Sequence, residues 1–199
     1  MITRRSDPDT LAAFSTDESG LFTACDLEAV VFPQTSAEVA EVLSEANARR
    51  VPVTISGGGT GITGGRVATV GGWALATEGL RSAESAHGET LVYEQYGQRF
   101  TIQVDPERQE AWVPAGLSLE LLAKLLPPGL FYPPDPTEQT CLLGGTVATN
   151  ASGARSFHYG ATRAWVRGLT VILPNGDRLE IERGEVTARD GTLTFAGAS

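Results

Sequence analysis

Apolar and polar positions along this chain alternate between short buried runs and breaks rich in glycine and proline. Ala29-Val30-Val31-Phe32 is a continuous apolar run of strand length, stopped by Pro33. Thr35-Ser36-Ala37-Glu38 has the form of a capping box, and Val39, Val42, Leu43 and Ala46 follow at helical spacing. Glu41, Glu45 and Arg49 fall on the opposite face of the same predicted helix. Val51 to Ser56 predicts a second strand and Trp73-Ala74-Leu75 a third, giving a β-α-β unit. Residues 1 to 28 are mixed and acidic without a clear period, and are expected to wrap the surface.

From Thr77 to Gln98 the pattern is polar and reads as a connection between two lobes. Phe100-Thr101-Ile102-Gln103-Val104 alternates as a half-buried strand does, and Asp105-Pro106 turns it toward a partner around Ala111-Trp112-Val113. Ser118 is placed to cap a helix with Leu121, Leu122, Leu125 and Leu126 on one face, ended by Pro127-Pro128-Gly129. Tyr132 to Gly160 is irregular. Leu169 to Leu173 predicts a strand that returns through Leu179 to Glu182 by a type I′ turn at Asn175-Gly176. The expected fold is α+β: an N-terminal extension over residues 1–24, a small β-α-β lobe over 25–80, and a larger, mainly antiparallel lobe with helices over 81–199.

The stretch SGGGTGITGG, Ser56 to Gly65, carries six glycines in ten residues directly after a predicted strand. Glycine loses more chain entropy on folding than any other residue, so such a cluster implies a backbone task that side chains would obstruct. A Walker loop would need a lysine after its last glycine, whereas Gly64 is followed by Gly65-Arg66. Gly59-Thr60-Gly61-Ile62-Thr63-Gly64 matches the dinucleotide fingerprint GxGxxG literally, yet Ile62 to Gly72 has no amphipathic period with which to open the required helix. The remaining reading is an anion nest, in which successive main-chain N–H groups grip a diphosphate without a cationic side chain. A second cluster, Leu142 to Gly160, has the same character: Gly144-Gly145 precede a helix-tolerant run, Thr146 to Asn150, and Ala151-Ser152-Gly153 follow. A helix turn starting there would offer its positive end to an anion. Two such segments in separate lobes point to a long ligand held between the lobes along its diphosphate.

Composition narrows the field. The formal net charge of −9, with no basic stripe, argues against a nucleic-acid partner. No apolar stretch approaches the roughly 20 residues of a membrane-spanning helix, and the N-terminus turns polar at once, so the expected location is cytoplasmic. Cys25 and Cys141 form no CxxC pair and read as idle thiols rather than a disulfide. His87 and His158 are the two histidines and have no metal-ligand spacing, so no metal is expected. No GxSxG elbow or acid–base carboxylate pair is present, and Asp135, between two prolines, reads as a turn former. Trp73, Trp112 and Trp165 read as core or lobe-packing residues.

At these residues the chain resembles the FAD-binding domain of the vanillyl-alcohol oxidase / p-cresol methylhydroxylase (PCMH-type) flavoproteins, particularly the branch that holds glycolate oxidase and D-lactate dehydrogenase. The resemblance runs in order through Val31-Phe32-Pro33, Glu38-Val39, Ser56 to Gly65, Pro114-Ala115-Gly116, Tyr132 to Pro136, Gly144 to Gly153, Tyr159-Gly160, and Leu169 to Gly176. It implies two lobes with FAD between them. Ile55, Ser56, Gly57, Gly58, Gly59, Thr60, Gly61, Ile62 and Gly65 would hold the cofactor on the first side. Pro134, Asp135, Gly144, Gly145, Val147, Ala148, Asn150, Ser152, Gly153, Tyr159 and Gly160 would line the rest of the groove. The first loop has no histidine for covalent attachment, so the expected FAD is non-covalent. Leu142 occupies a slot where relatives carry a hydroxyl residue, and nothing after Gly184 matches the family's closing strand.

The resemblance implies a flavin-dependent oxidoreductase that oxidises a 2-hydroxy acid, such as glycolate or D-lactate, to the 2-oxo acid by hydride transfer to flavin N5. Its catalytic residues are unknown and expected outside the chain, in a missing C-terminal domain or partner subunit. His158, beside Tyr159-Gly160, stands near the expected flavin groove or serves a structural role, and is assigned no catalytic one. The competing reading is a non-catalytic FAD-binding module, or one that depends on a second subunit.

Overall fold

The computed structural model describes residues 1–84, 88–192 and 194. His87 lies outside the described residues. The first sheet has the order β1-β2-β4-β3, built from β1 (Thr3–Arg5), β2 (Leu27–Phe32), β3 (Val53–Ser56) and β4 (Gly72–Ala76). β2 and β3 both pair parallel to β4, and β1 runs antiparallel along β2. Every residue of β4 is buried, as its near-continuous apolar sequence requires of a central parallel strand.

One face of this sheet is covered by α2 (Ser36–Arg49), which buries Val39, Val42 and Ala46 against Val31, Trp73 and Leu75. The expected cap is present with one shift. Thr35 accepts the Glu38 N–H, but the Glu38 carboxylate reaches back to the N–H of Gln34, one residue before the cap. The opposite face is covered by α1 (Pro8–Ala13), where Leu11 and Phe14 pack on Val30, Ala74 and Ala76. Residues 1 to 28 are therefore more than a surface wrap, since they supply an edge strand and one covering layer. Asp7 accepts the Thr10 N–H and Pro8 opens α1, a start signal visible in the sequence.

The second core lies between a three-stranded antiparallel sheet and a helix. The sheet order is β5 (Glu89–Gln95), β6 (Gln98–Asp105), β7 (Glu110–Trp112). Phe100, Ile102 and Val104 alternate inward and meet Leu119, Leu122 and Leu125 of α3 (Leu119–Leu125), which Ser118 caps through the Leu121 N–H. The polar stretch expected to be a connection contains β5, which pairs along β6 from Glu89 to Gln95. A seven-residue helix, α4 (Leu143–Thr149), starts earlier than expected and takes Gly144 and Gly145 into its first turn. A short helical turn, α5 (Ser156–Tyr159), follows.

The last hairpin, β8 (Gly168–Ile172) and β9 (Arg178–Glu182), forms a sheet of its own rather than extending β5-β6-β7. It packs on α2: Ile172 joins the first core, and Arg178 lies 3.6 Å from Glu84. Its turn is not type I′. Gly176 has positive φ but Asn175 does not, Gly176 N–H donates to Leu173 O, and Leu173 N–H donates to Asp177 O. Pro174 sits at the second position of a Leu173–Gly176 turn, where its fixed φ suits a type I turn with a following bulge.

Candidate functional site

The two glycine-rich segments, remote in sequence, meet. A β-carbon on Gly57 would lie 4.0 Å from the α-carbon of Gly145. One on Gly58 would lie 3.5 Å from both the Leu142 side chain and the Thr140 carbonyl, so Gly58 faces the second segment rather than open space. On Gly61, Gly65 and Gly145 an added β-carbon would meet nothing within 4 Å. Space is open beside these three glycines, and Gly61 and Gly65 are exposed. The N–H groups of residues 58 to 65 have no backbone acceptor among the described residues, leaving a set of donors suited to an anion. No helix opens between Gly61 and β4, which removes the Rossmann alternative on structural grounds.

The N-terminus of α4 is less available than expected. Leu143 N–H donates to Leu117 O (2.8 Å) and Gly144 N–H to Ala115 O (2.9 Å), leaving Gly145 as the donor of the first turn without a backbone acceptor. Gly144 is glycine for packing, since a β-carbon there would approach Ala115 Cβ to 2.8 Å. Gly153 is likewise a packing glycine: its added β-carbon would sit 1.7 Å from the Asp135 carbonyl oxygen. Its N–H donates to Ser156 Oγ.

Ser56 is buried at the end of β3, and its carbonyl accepts from Thr77 Oγ1. Ile55 and Ile62 are exposed, as is Ala148, while Thr60 and Val147 are half-buried. Pro134 is buried, Ser152 is exposed, and Gly160 closes α5 with positive φ. Asn150 takes a left-handed conformation as the α4 cap and accepts the Arg163 N–H through Oδ1, a fold-maintaining task. Asp135 pairs with Arg155 Nε at 3.0 Å and accepts from Gln139. The hydrogen bond from Arg155 holds its carboxyl below the ordinary range, so near neutral pH it is a poor proton acceptor. Tyr159 sits edge-on to Phe131 (5.8 Å), Trp165 (6.4 Å) and His158 (4.4 Å between centroids). Trp165 is 41% exposed and donates to Tyr159 O, so the packing role expected for it is local to this exposed aromatic group.

Two features of the loop carry no signal in the sequence. Arg66, which argued against a Walker loop, folds back under Gly59, where an added β-carbon would sit 2.1 Å from Nη1. Phe22 lies against Gly64, 2.4 Å from the corresponding point. Burial pulls the Arg66 guanidinium below its ordinary value, against the opposing pull of Asp17 and Glu78. Both thiols are free; burial and Glu138 push Cys141 up to about 11.

Residues 27–182 match the family described as FAD binding domain. The chain is 34% identical over 169 residues to a D-lactate dehydrogenase of Anaerostipes hadrus, covering 84% of this chain and 32% of that protein. It is 32% identical over 176 residues to the glycolate oxidase subunit GlcD of Bacillus subtilis, covering 86% and 34%. Among solved structures, an alkyldihydroxyacetonephosphate synthase superposes with a TM-score of 0.72 at 21% identity, over 91% of this chain and 35% of that one. This last likeness speaks to the fold, and the PCMH-type FAD-binding fold implied by the sequence is the one observed. The chain spans about a third of the length of these curated relatives.

Proposed function

Since the chain belongs to the FAD binding domain family, we propose that the seam between its two glycine-rich segments holds FAD non-covalently along the pyrophosphate. One observation carries this reading: the two glycine-rich segments come together, a β-carbon on Gly57 reaching to 4.0 Å from the Gly145 α-carbon, beside N–H groups with no backbone acceptor among the described residues. Hydrogen bonds from neutral amides to charged oxygens contribute about 1.5–3 kcal/mol each, so a handful suffices without a lysine.

The family and the named relatives support an FAD-dependent oxidoreductase acting on CH–OH groups. We assign the whole protein the oxidation of a 2-hydroxy acid of the D-lactate or glycolate class to its 2-oxo acid. Bound FAD would supply the hydride acceptor. This chain's contribution is to hold and orient it: Gly57 to Gly65 and Gly145 grip the diphosphate, while the Asp135–Arg155 pair pins the Pro134 segment to the start of α5. Purified protein should carry visible flavin absorbance, release the flavin on denaturation, and bleach anaerobically with D-lactate or glycolate. Yellow protein that does not bleach favours a binding module completed by another domain or subunit. Colourless protein that takes up no added FAD refutes the assignment.

A further inference from the structure

Residues 13 to 25 run along the outer side of the glycine loop and are joined to it repeatedly. Glu18 N–H donates to Gly59 O (3.1 Å) and Cys25 N–H to Ala68 O (3.2 Å). Arg66 Nη2 donates to Ala13 O (2.7 Å), with its guanidinium 4.8 Å from the Phe14 ring centroid. The two loop glycines that take left-handed φ near these contacts, Gly59 (+79°) and Gly64 (+78°), each have a side chain laid against the α-carbon: Arg66 under the first and Phe22 under the second. Arg66 Nε and Asp17 Oδ2 are buried with no hydrogen-bond partner. Leaving Nε buried and unpaired is unfavourable for folding and offsets part of what the Ala13 and Phe14 contacts contribute. Arg66 does place a positive charge directly against Gly59 of the loop.

We propose that Arg66 and Phe22 are positioning residues: they fix the glycine loop from behind at Gly59 and Gly64, and so set how long a pyrophosphate-bearing dinucleotide stays bound. The inference rests on the reading that the loop receives the pyrophosphate. A run of glycines left free would have to be ordered at the moment of binding, an entropy cost that weakens the complex. Packing Arg66 and Phe22 against two of them completes that ordering during folding.

The test uses the full chain as wild type, Arg66→Met, Arg66→Lys and Phe22→Ala. FAD release is followed by recovery of flavin fluorescence on dilution, and the melting temperature of each protein is measured without FAD. Arg66→Met and Phe22→Ala should each speed release about tenfold or more, equivalent to at least about 1.4 kcal/mol, with little change in the melting temperature of the FAD-free protein. Arg66→Lys should fall between, keeping the charge but losing the fork that spans Ala13 O and Gly59; it decides the matter if Arg66→Met does not fold. Wild-type release rates in these variants overturn the inference alone. So does faster release matched by an equal loss of FAD-free stability, the mark of a purely structural role. A wild-type protein that binds no FAD overturns the functional reading and this inference together.

Discussion

Gly145→Ala should make the FAD-free protein more stable and its grip on FAD weaker. Gly145 is the third residue of α4, its φ is not left-handed, and an added methyl would meet nothing within 4 Å. Glycine in a helix interior is about 1 kcal/mol less favourable than alanine. In the first turn of a seven-residue helix about half of that is expected, roughly 0.5 kcal/mol. For a chain of 199 residues a change of this size raises the melting temperature by about 1–2 °C. On the proposed reading the same methyl would stand beside the Gly145 N–H, which has no backbone acceptor, so a diphosphate bound to that amide would retreat and lengthen its hydrogen bonds. Overpacking of this kind costs about 1–3 kcal/mol, a loss of roughly 5- to 150-fold in affinity.

Neighbouring Gly144 supplies the control. Its added methyl would press on Ala115 at 2.8 Å, so Gly144→Ala should lower the melting temperature instead. Calorimetric titration with FAD and thermal unfolding of the FAD-free proteins measure both quantities. A Gly145→Ala protein that gains stability and binds FAD within twofold of wild type would refute the cradle at this position.

Gly153→Ala should be strongly destabilising, by about 2 kcal/mol or more, because its β-carbon would sit 1.7 Å from a backbone oxygen of Asp135; chemical denaturation reads this, and a wild-type midpoint would contradict the packing. The Asp135 carboxyl is held low by Arg155, so the stability it contributes is complete above the unfolded value near pH 3.9 and is lost as pH falls through the lowered folded value. Asp135→Asn should therefore flatten the dependence of melting temperature on pH in acid, and an unchanged slope would count against the pair. Cys25 is exposed whereas Cys141 is half-buried and pushed up to about 11, so iodoacetamide at mildly alkaline pH should label Cys25 first; mass spectrometry showing equal rates would contradict this.

How far the fold is legible in the sequence follows from where the determining interactions lie. α2 is readable because its cap, period and length are local, and β2, β4 and β6 because burial on one or both faces imposes a pattern on consecutive residues. β5 escapes because Leu91 and Tyr93 face the core while Val92, on the other face, is also apolar and 45% exposed, which blurs the alternation. The hairpin turn is mistyped when Asn175-Gly176 is weighed without Pro174, whose ring fixes the preceding position. In the site, the meeting of the two glycine segments can be inferred from their shared character. The distinction between glycines with room for a β-carbon (Gly57, Gly58, Gly61, Gly65, Gly145) and packing glycines (Gly144, Gly153) cannot, since it depends on which neighbour each α-carbon meets.

The same dependence explains why the sequence alone misleads about Arg66. In a chain of net charge −9, a diphosphate bound as proposed would be held against an unfavourable background field. A lysine within the loop would answer the charge but would add a flexible side chain where the ligand has to lie. Glycine amides answer the geometry, yet a loop of glycines is disordered unless something outside it supplies restraint. Here Leu142 and Thr140 lie beside Gly58, while Arg66, bonded to Ala13, packs on Gly59 and Phe22 of the N-terminal segment packs on Gly64. On the proposed reading the cation is separate from the donors: it packs against Gly59 and Ala13, contributing field and shape, while bare backbone would meet the ligand. Sequence motifs that expect a cation to follow the last glycine and reach forward overlook an arginine at that place that folds back.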